Sequence, residues 1–182
     1  EFRISRFLRD PRDLVVSGYF YHRRGAEDWC LIEAPSEDDW YFANGTVPAG
    51  MRGKRISFAA YLESLSQEEG LLAELEFRRR HFESMSSWPD NDPRIMSWRY
   101  EEVAGSESRV FGELFDFYDL GPVERLLGGL FARRYSIRKQ AADTHVRNPN
   151  PGQWRQHFTP RVKQAFDADF GQLIEQLGYP SE

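Results

Sequence analysis

The alternation of apolar and polar positions divides the chain into two short strands and a series of amphipathic helices. Phe2 to Leu8 reads as a strand, with Phe2, Ile4 and the Phe7-Leu8 pair apolar, and Arg9 closes it. Asp10-Pro11-Arg12-Asp13 is a helix start. Asp10 can cap, Pro11 suits the first helical position because its missing N–H would be unpaired there, and Asp13 favours the positive helix end. Leu14, Val15, Gly18 and Tyr19 continue at helical spacing, which puts Ser17 about two turns inside. Ala34–Gly53 holds Asn44-Gly45, Pro48 and Gly50 and reads as a loop. Its Trp40-Tyr41-Phe42 run is expected to tuck onto the core, with a lid over a pocket as the alternative.

Further along, Ser57 caps a short helix to Leu65, with Phe58, Tyr61, Leu62 and Leu65 on one side. Ser66-Gln-Glu-Glu69 is a capping-box pattern opening a longer helix to Met85, striped by Leu71, Leu75, Phe82 and Met85. Arg78-Arg79-Arg80-His81 lies within it. Successive helix positions point in different directions, so a solvated face is expected there rather than an anion site. Ile95–Tyr100 reads as the second strand, ended by Glu101-Glu102. Ser106 is placed as the cap of a helix with Val110, Phe111, Leu114, Phe115 and Tyr118 inward. Gly121-Pro122 breaks it, and Val123, Leu126, Leu127, Leu130 and Phe131 stripe the next helix. Both stripes are expected to be core. Thr159-Pro160 opens the last helix, striped by Val162, Phe166, Phe170, Leu173, Ile174 and Leu177, with Gly178 as its stop.

A length of 182 residues suffices for one domain with a sizeable core. Two strands alone make a marginal sheet, so the partner strands are expected outside these residues. A net charge of −5 argues against broad binding to nucleic acid or anionic membrane, although individual arginines can still form a local anion pocket. Cys30 is the single cysteine, which permits no internal disulfide and suits a reducing compartment. No apolar run reaches the length of a membrane span, and no charged-then-apolar leader opens the chain. His22, His81, His145 and His157 share no metal-ligand spacing. Neither a Gly-rich Lys-Ser/Thr phosphate loop nor a Gly-x-Ser-x-Gly elbow is present.

The chemistry concentrates at the front. A strand running into a tight turn and a helix N-terminus is a common anion-binding geometry. Arg9 can offer two parallel N–H bonds to a phosphate, and Ser17 can add a hydroxyl from the helix. On spacing alone, an ordinary strand–helix joint with a surface arginine is the stronger reading.

Arg9-Asp-Pro-Arg-Asp-Leu-Val-Val-Ser17-Gly-Tyr resembles the 3'-phosphate-binding motif of PAPS-dependent sulfotransferases of the soluble cytosolic and bacterial kind. PAPS, 3'-phosphoadenosine 5'-phosphosulfate, is the sulfuryl donor of that family. Tyr100-Glu-Glu is similar to the family's Tyr-Glu-Asp, whose tyrosine packs on the adenine, and a flat aromatic suits a purine face. Without the resemblance, a core tyrosine with its hydroxyl at the surface is the preferred reading. Tyr135-Ser136-Ile137 falls where the family has a Thr/Tyr-Ser-Phe segment, with Ser136 a phosphate donor and Ile137 a departure. His145 to Thr159 resembles the C-terminal loop, Arg147 lying five residues before Gly152. Asn148-Pro149 replaces the usual Lys-Gly, which implies weaker or differently arranged phosphate binding. Trp154 and Phe158 are expected to anchor this loop to the core.

The resemblance implies an α/β domain with a P-loop-like parallel sheet flanked by helices, incomplete at the N-terminus. Residues 1–182 form the C-terminal part of a single sulfotransferase domain on this reading. It further implies sulfuryl transfer from PAPS to a hydroxyl or amine of a small-molecule acceptor, releasing 3',5'-ADP without a metal. Arg9, Ser17 and Arg147 would hold the 3'-phosphate, Tyr100 would face the adenine, and Tyr21 would line the acceptor pocket. The family's 5'-phosphosulfate loop and general base precede the strand at which this chain begins, so no catalytic residue is assigned. These residues alone are expected to turn over poorly or not at all. The alternative is a non-catalytic nucleotide-binding or interaction module retaining only the 3'-phosphate half-site. A cytoplasmic location is expected, without nucleic-acid or membrane partners. Acceptor identity and oligomeric state stay open.

Overall fold

Two strands pair in parallel: Ile4–Leu8 (β1) and Ile95–Arg99 (β2), in register from Ile4 opposite Ile95 to Leu8 opposite Arg99. The computed structural model describes residues 2–89, 92–136 and 150–181. It divides into two compact units, Glu1–Asp10 with Pro89–Pro151, and Pro11–Trp88 with Gly152–Glu182. The parallel pairing and the surrounding helices bear out the expected α/β class. The first strand begins at Ile4 rather than Phe2, and the second ends at Arg99.

In the first unit the chain leaves β2 directly into a short helix, Tyr100–Val103 (α2), so Tyr100 opens a helix instead of closing a strand. Glu107–Phe117 (α3) and Pro122–Arg134 (α4) follow. Trp98, Val103 and Val110 form the core here, with Met96 and Leu114 against it, and Phe7 stacks on Trp98 at 5.4 Å. Ser106 makes no side-chain cap bond, contrary to expectation. Its backbone places it there anyway, with the Ser106 carbonyl accepting from the Val110 N–H at 3.1 Å.

The expected core stripe of α4 is a correction. Val123, Leu126, Leu127, Leu130 and Phe131 are all between 50% and 67% exposed. Gly128 takes the Phe115 ring instead, where a Cβ would lie 2.4 Å from Phe115 Cζ, and Ala132 is the buried residue of the helix. Helical periodicity identifies an apolar face but not the surface that face meets.

The second unit is helical. Pro11–Arg23 (α5) packs with Phe58–Glu63 (α6) and Gln67–Phe77 (α7). Pro160–Gln176 (α8) lies against α7 and against Arg79–Ser86 (α9). Val15, Val16, Tyr19, Phe58, Leu62, Leu71, Leu75 and Phe77 are buried in its interior, as are Phe166, Phe170 and Leu173 from α8. Ser57 and Ser66 cap as expected, the latter in a reciprocal capping box with Glu69.

Three expectations fail in this unit. The span read as loop contains a helix, Glu37–Phe42 (α10), opened by a capping box between Ser36 and Asp39. Trp40 is buried, but Tyr41 and Phe42 are exposed rather than tucked in. The long helix through Met85 is interrupted at Arg78, which ends α7 and starts α9. Among the described residues no helix is long and apolar enough to cross a membrane, and no group of three ligating side chains is placed to hold a metal.

Candidate functional site

In the first unit, β1 delivers Arg9 and β2 delivers Tyr100, both immediately beyond the carboxyl ends of parallel strands. Ligands of open α/β sheets bind at such ends. The Arg9 guanidinium lies 4.9 Å from the Tyr100 ring centroid, within cation–π range. Arg9 Nε is buried and lacks a hydrogen-bond partner among the described residues. A buried donor left unmatched costs about 1–3 kcal/mol, so a missing acceptor is the physical implication. Burial raises the pKa of the Tyr100 phenol, which Arg9 opposes. Next to them, the Asp10 N–H donates to Glu101 Oε1 at 3.3 Å and ties the two strand ends together.

In the second unit, Ser17 and Tyr21 are one turn apart on α5, both half-buried on the same face. The Tyr21 hydroxyl shares a hydrogen bond with Glu27, and burial followed by the Glu27 charge raises its pKa. Arg24 stacks on the Tyr21 ring at 5.2 Å.

Two residues inside the Arg9–Ser17 motif have roles that sequence reasoning missed. Asp13 is 1% exposed, accepting from the Gly152 N–H at 2.6 Å and the Trp154 N–H at 2.9 Å. Arg12 lies 4.0 Å from the Trp154 ring centroid and donates to the Pro180 carbonyl at 2.8 Å. The start of α5 is thus the fastening point for the segment from Gly152 and for the C-terminal residues. Nothing local signals this, because the partners lie more than a hundred residues downstream. Trp154 is buried, and Phe158 packs on Trp154 and Phe166, as expected for anchors. Gly152 has φ +77, a conformation that favours glycine. Arg147 and Ile137 fall outside the described residues, whereas Ser136 is half-buried just after α4.

A third cluster also went unread. Glu74 in α7 is fully buried, with Arg78 Nε donating to Oε1 at 2.8 Å and His22 Nδ1 at 2.8 Å from Oε2. Gly18 makes room for it, since a Cβ there would lie 2.1 Å from Glu74 Oε1. Arg78 is therefore a half-buried partner of Glu74 rather than part of a solvated face. Its neighbours Arg79 and Arg80 do lie outward, Arg79 pairing with Asp169 at 2.5 Å.

The sulfotransferase domain model matches residues 3–178, and the chain belongs to that family. Among solved structures it is similar to mouse sulfotransferase SULT7A1 complexed with PAP, at 16% identity and a TM-score of 0.48. That alignment covers 95% of this chain and 58% of the mouse chain, so the chain spans under two thirds of that relative's length. No curated protein matches the sequence.

Proposed function

We propose that the chain is the C-terminal part of a sulfotransferase domain that holds the 3'-phosphoadenosine end of PAPS. Arg9, Ser17 and Arg147 bind the 3'-phosphate, Tyr100 stacks on the adenine, and Tyr21 lines the acceptor side. The observation that carries this reading is the buried, unmatched Arg9 Nε beside Tyr100 at the carboxyl ends of two parallel strands. A phosphate oxygen would supply the missing acceptor in a charge-assisted bond.

The reaction is in-line transfer. The acceptor oxygen or nitrogen forms a bond to sulfur as the bridging S–O bond to the 5'-phosphate breaks. The acceptor proton leaves, and 3',5'-ADP departs. The residues of this chain contribute donor affinity and register, so that sulfur is presented in line, and their positive charge offsets the donor's negative charge. They hold no metal and deprotonate no acceptor on this reading. A small-molecule acceptor and a cytoplasmic setting complete the proposal. A non-catalytic module that binds only the nucleotide is the competing one.

Calorimetric titration with 3',5'-ADP, beside 5'-AMP, tests the half-site. Binding is expected to depend on the 3'-phosphate and to weaken by roughly tenfold or more in Arg9→Ala. An Arg9→Ala chain that binds 3',5'-ADP as tightly as the parent would overturn the assignment. Sulfuryl transfer from PAPS to a panel of hydroxyl and amine acceptors separates the enzyme from the binding module.

A further inference from the structure

We propose that a cavity in the second unit binds a small organic ammonium ion, an amine carrying an apolar body. The inference goes beyond the nucleotide reading and does not depend on it, because none of the residues assigned to PAPS lines this cavity. Its volume is about 230 Å³, and its aromatic walls are Trp29, Phe42 and Phe77, with Trp29 stacked on Phe77 at 5.3 Å. A cavity of about 150 Å³ already accepts a benzene ring, so one ring with a short side chain fits.

The polar lining decides the ligand's charge. Glu74 accepts from Arg78 Nε at 2.8 Å and lies 2.8 Å from His22 Nδ1. His22 itself lines the cavity. Arg78 also lines the cavity, but Glu74 offsets its charge. His81 is kept neutral near pH 7 by burial and by Arg78, both of which lower its pKa. Arg24, stacked on Tyr21, is not among the lining residues. The acidic group of the lining is Glu27, whose carboxylate accepts from Trp29 Nε1 and is hydrogen-bonded to Tyr21. An ammonium can donate to Glu27 while lying against the aromatic walls, which attract cations. A carboxylate ligand would meet the like charge of Glu27 instead.

The test is calorimetric titration of the full chain with 2-phenylethylammonium, beside 2-phenylethanol and phenylacetate. The ammonium is expected to bind saturably, with the alcohol roughly tenfold weaker or more and phenylacetate weaker still. Glu27→Gln and Phe42→Ala alter exposed side chains, and circular dichroism checks that both variants fold. Each is expected to weaken the ammonium, and Glu27→Gln should leave the alcohol unchanged. Equal affinity for ammonium and alcohol, an unaffected Glu27→Gln, or no saturation by the folded chain at millimolar ammonium would each overturn the proposal.

Discussion

Replacing Asp13 by alanine tests how the second unit is fastened. The carboxylate is 1% exposed and receives two backbone N–H groups, from Gly152 at 2.6 Å and from Trp154 at 2.9 Å. Hydrogen bonds to a charged group are worth about 1.5–3 kcal/mol each, and truncation leaves both amides without their acceptor. Removing the carboxylate also recovers its own desolvation cost, which brings the expected loss to about 3–4 kcal/mol. Asp13→Asn keeps one acceptor oxygen but turns an amide NH₂ towards the other N–H, for a loss of about 2–3 kcal/mol. In a urea titration followed by far-ultraviolet circular dichroism, a slope of about 2 kcal/mol/M converts the alanine loss into a midpoint shift of roughly 1.5–2 M. The order parent, then asparagine, then alanine is part of the prediction. An alanine variant within about 0.5 kcal/mol of the parent would show that water replaces the carboxylate at no cost, and would refute the reasoning.

Three further outcomes are expected. Gly18→Ala drives a Cβ to 2.1 Å from Glu74 Oε1 and 2.3 Å from Arg78 Nη2, so the same titration should read a loss of about 2–4 kcal/mol; unchanged stability would mean that the pair re-seats freely. The Cys30 thiol is pushed up to about 12 by burial and by Glu27, which leaves a thiolate fraction on the order of 10⁻⁴ at pH 8. A disulfide reagent should therefore label it in urea but not in the native chain, and fast native labelling would contradict its burial. His81 titrates below its ordinary value of 6.5, so the unfolded chain takes up the proton first and stability falls as pH drops through and below 6.5. His81→Gln should flatten the stability profile between about pH 7 and pH 5, and an unchanged slope would exclude this group as the cause.

Elements whose signals are local were legible in the sequence. Ser57 and Ser66 cap because their partners lie three residues away, and Pro11 opens its helix as its chemistry demands. The Ser36–Asp39 box escaped notice because turn-forming residues crowd the same span and Asp, not Glu or Gln, fills its third position. The break at Arg78 carries neither glycine nor proline, so no local breaker marks it. Glu74 reads as a surface residue until His22, fifty-two positions earlier, is brought against it. Of the proposed site, the Arg9–Tyr100 contact joins residues that the sequence singled out. The cavity at His22 was not legible, since its walls come from four separate stretches of chain.

The interleaving of the two units has a consequence for synthesis. Ile4 pairs with Ile95, so β1 leaves the ribosome 91 positions ahead of its partner. At about 5–20 residues per second, its edge stands open for roughly 5–20 seconds. Most of the residues made in that interval, Pro11 to Trp88, belong to the second unit, which in turn lacks its fastening until Gly152 and Trp154 are made. Neither unit can close early on its own stretch of chain, and both wait on long-range partners. An open strand edge and an unfastened helical layer are the states that a nascent-chain chaperone would meet.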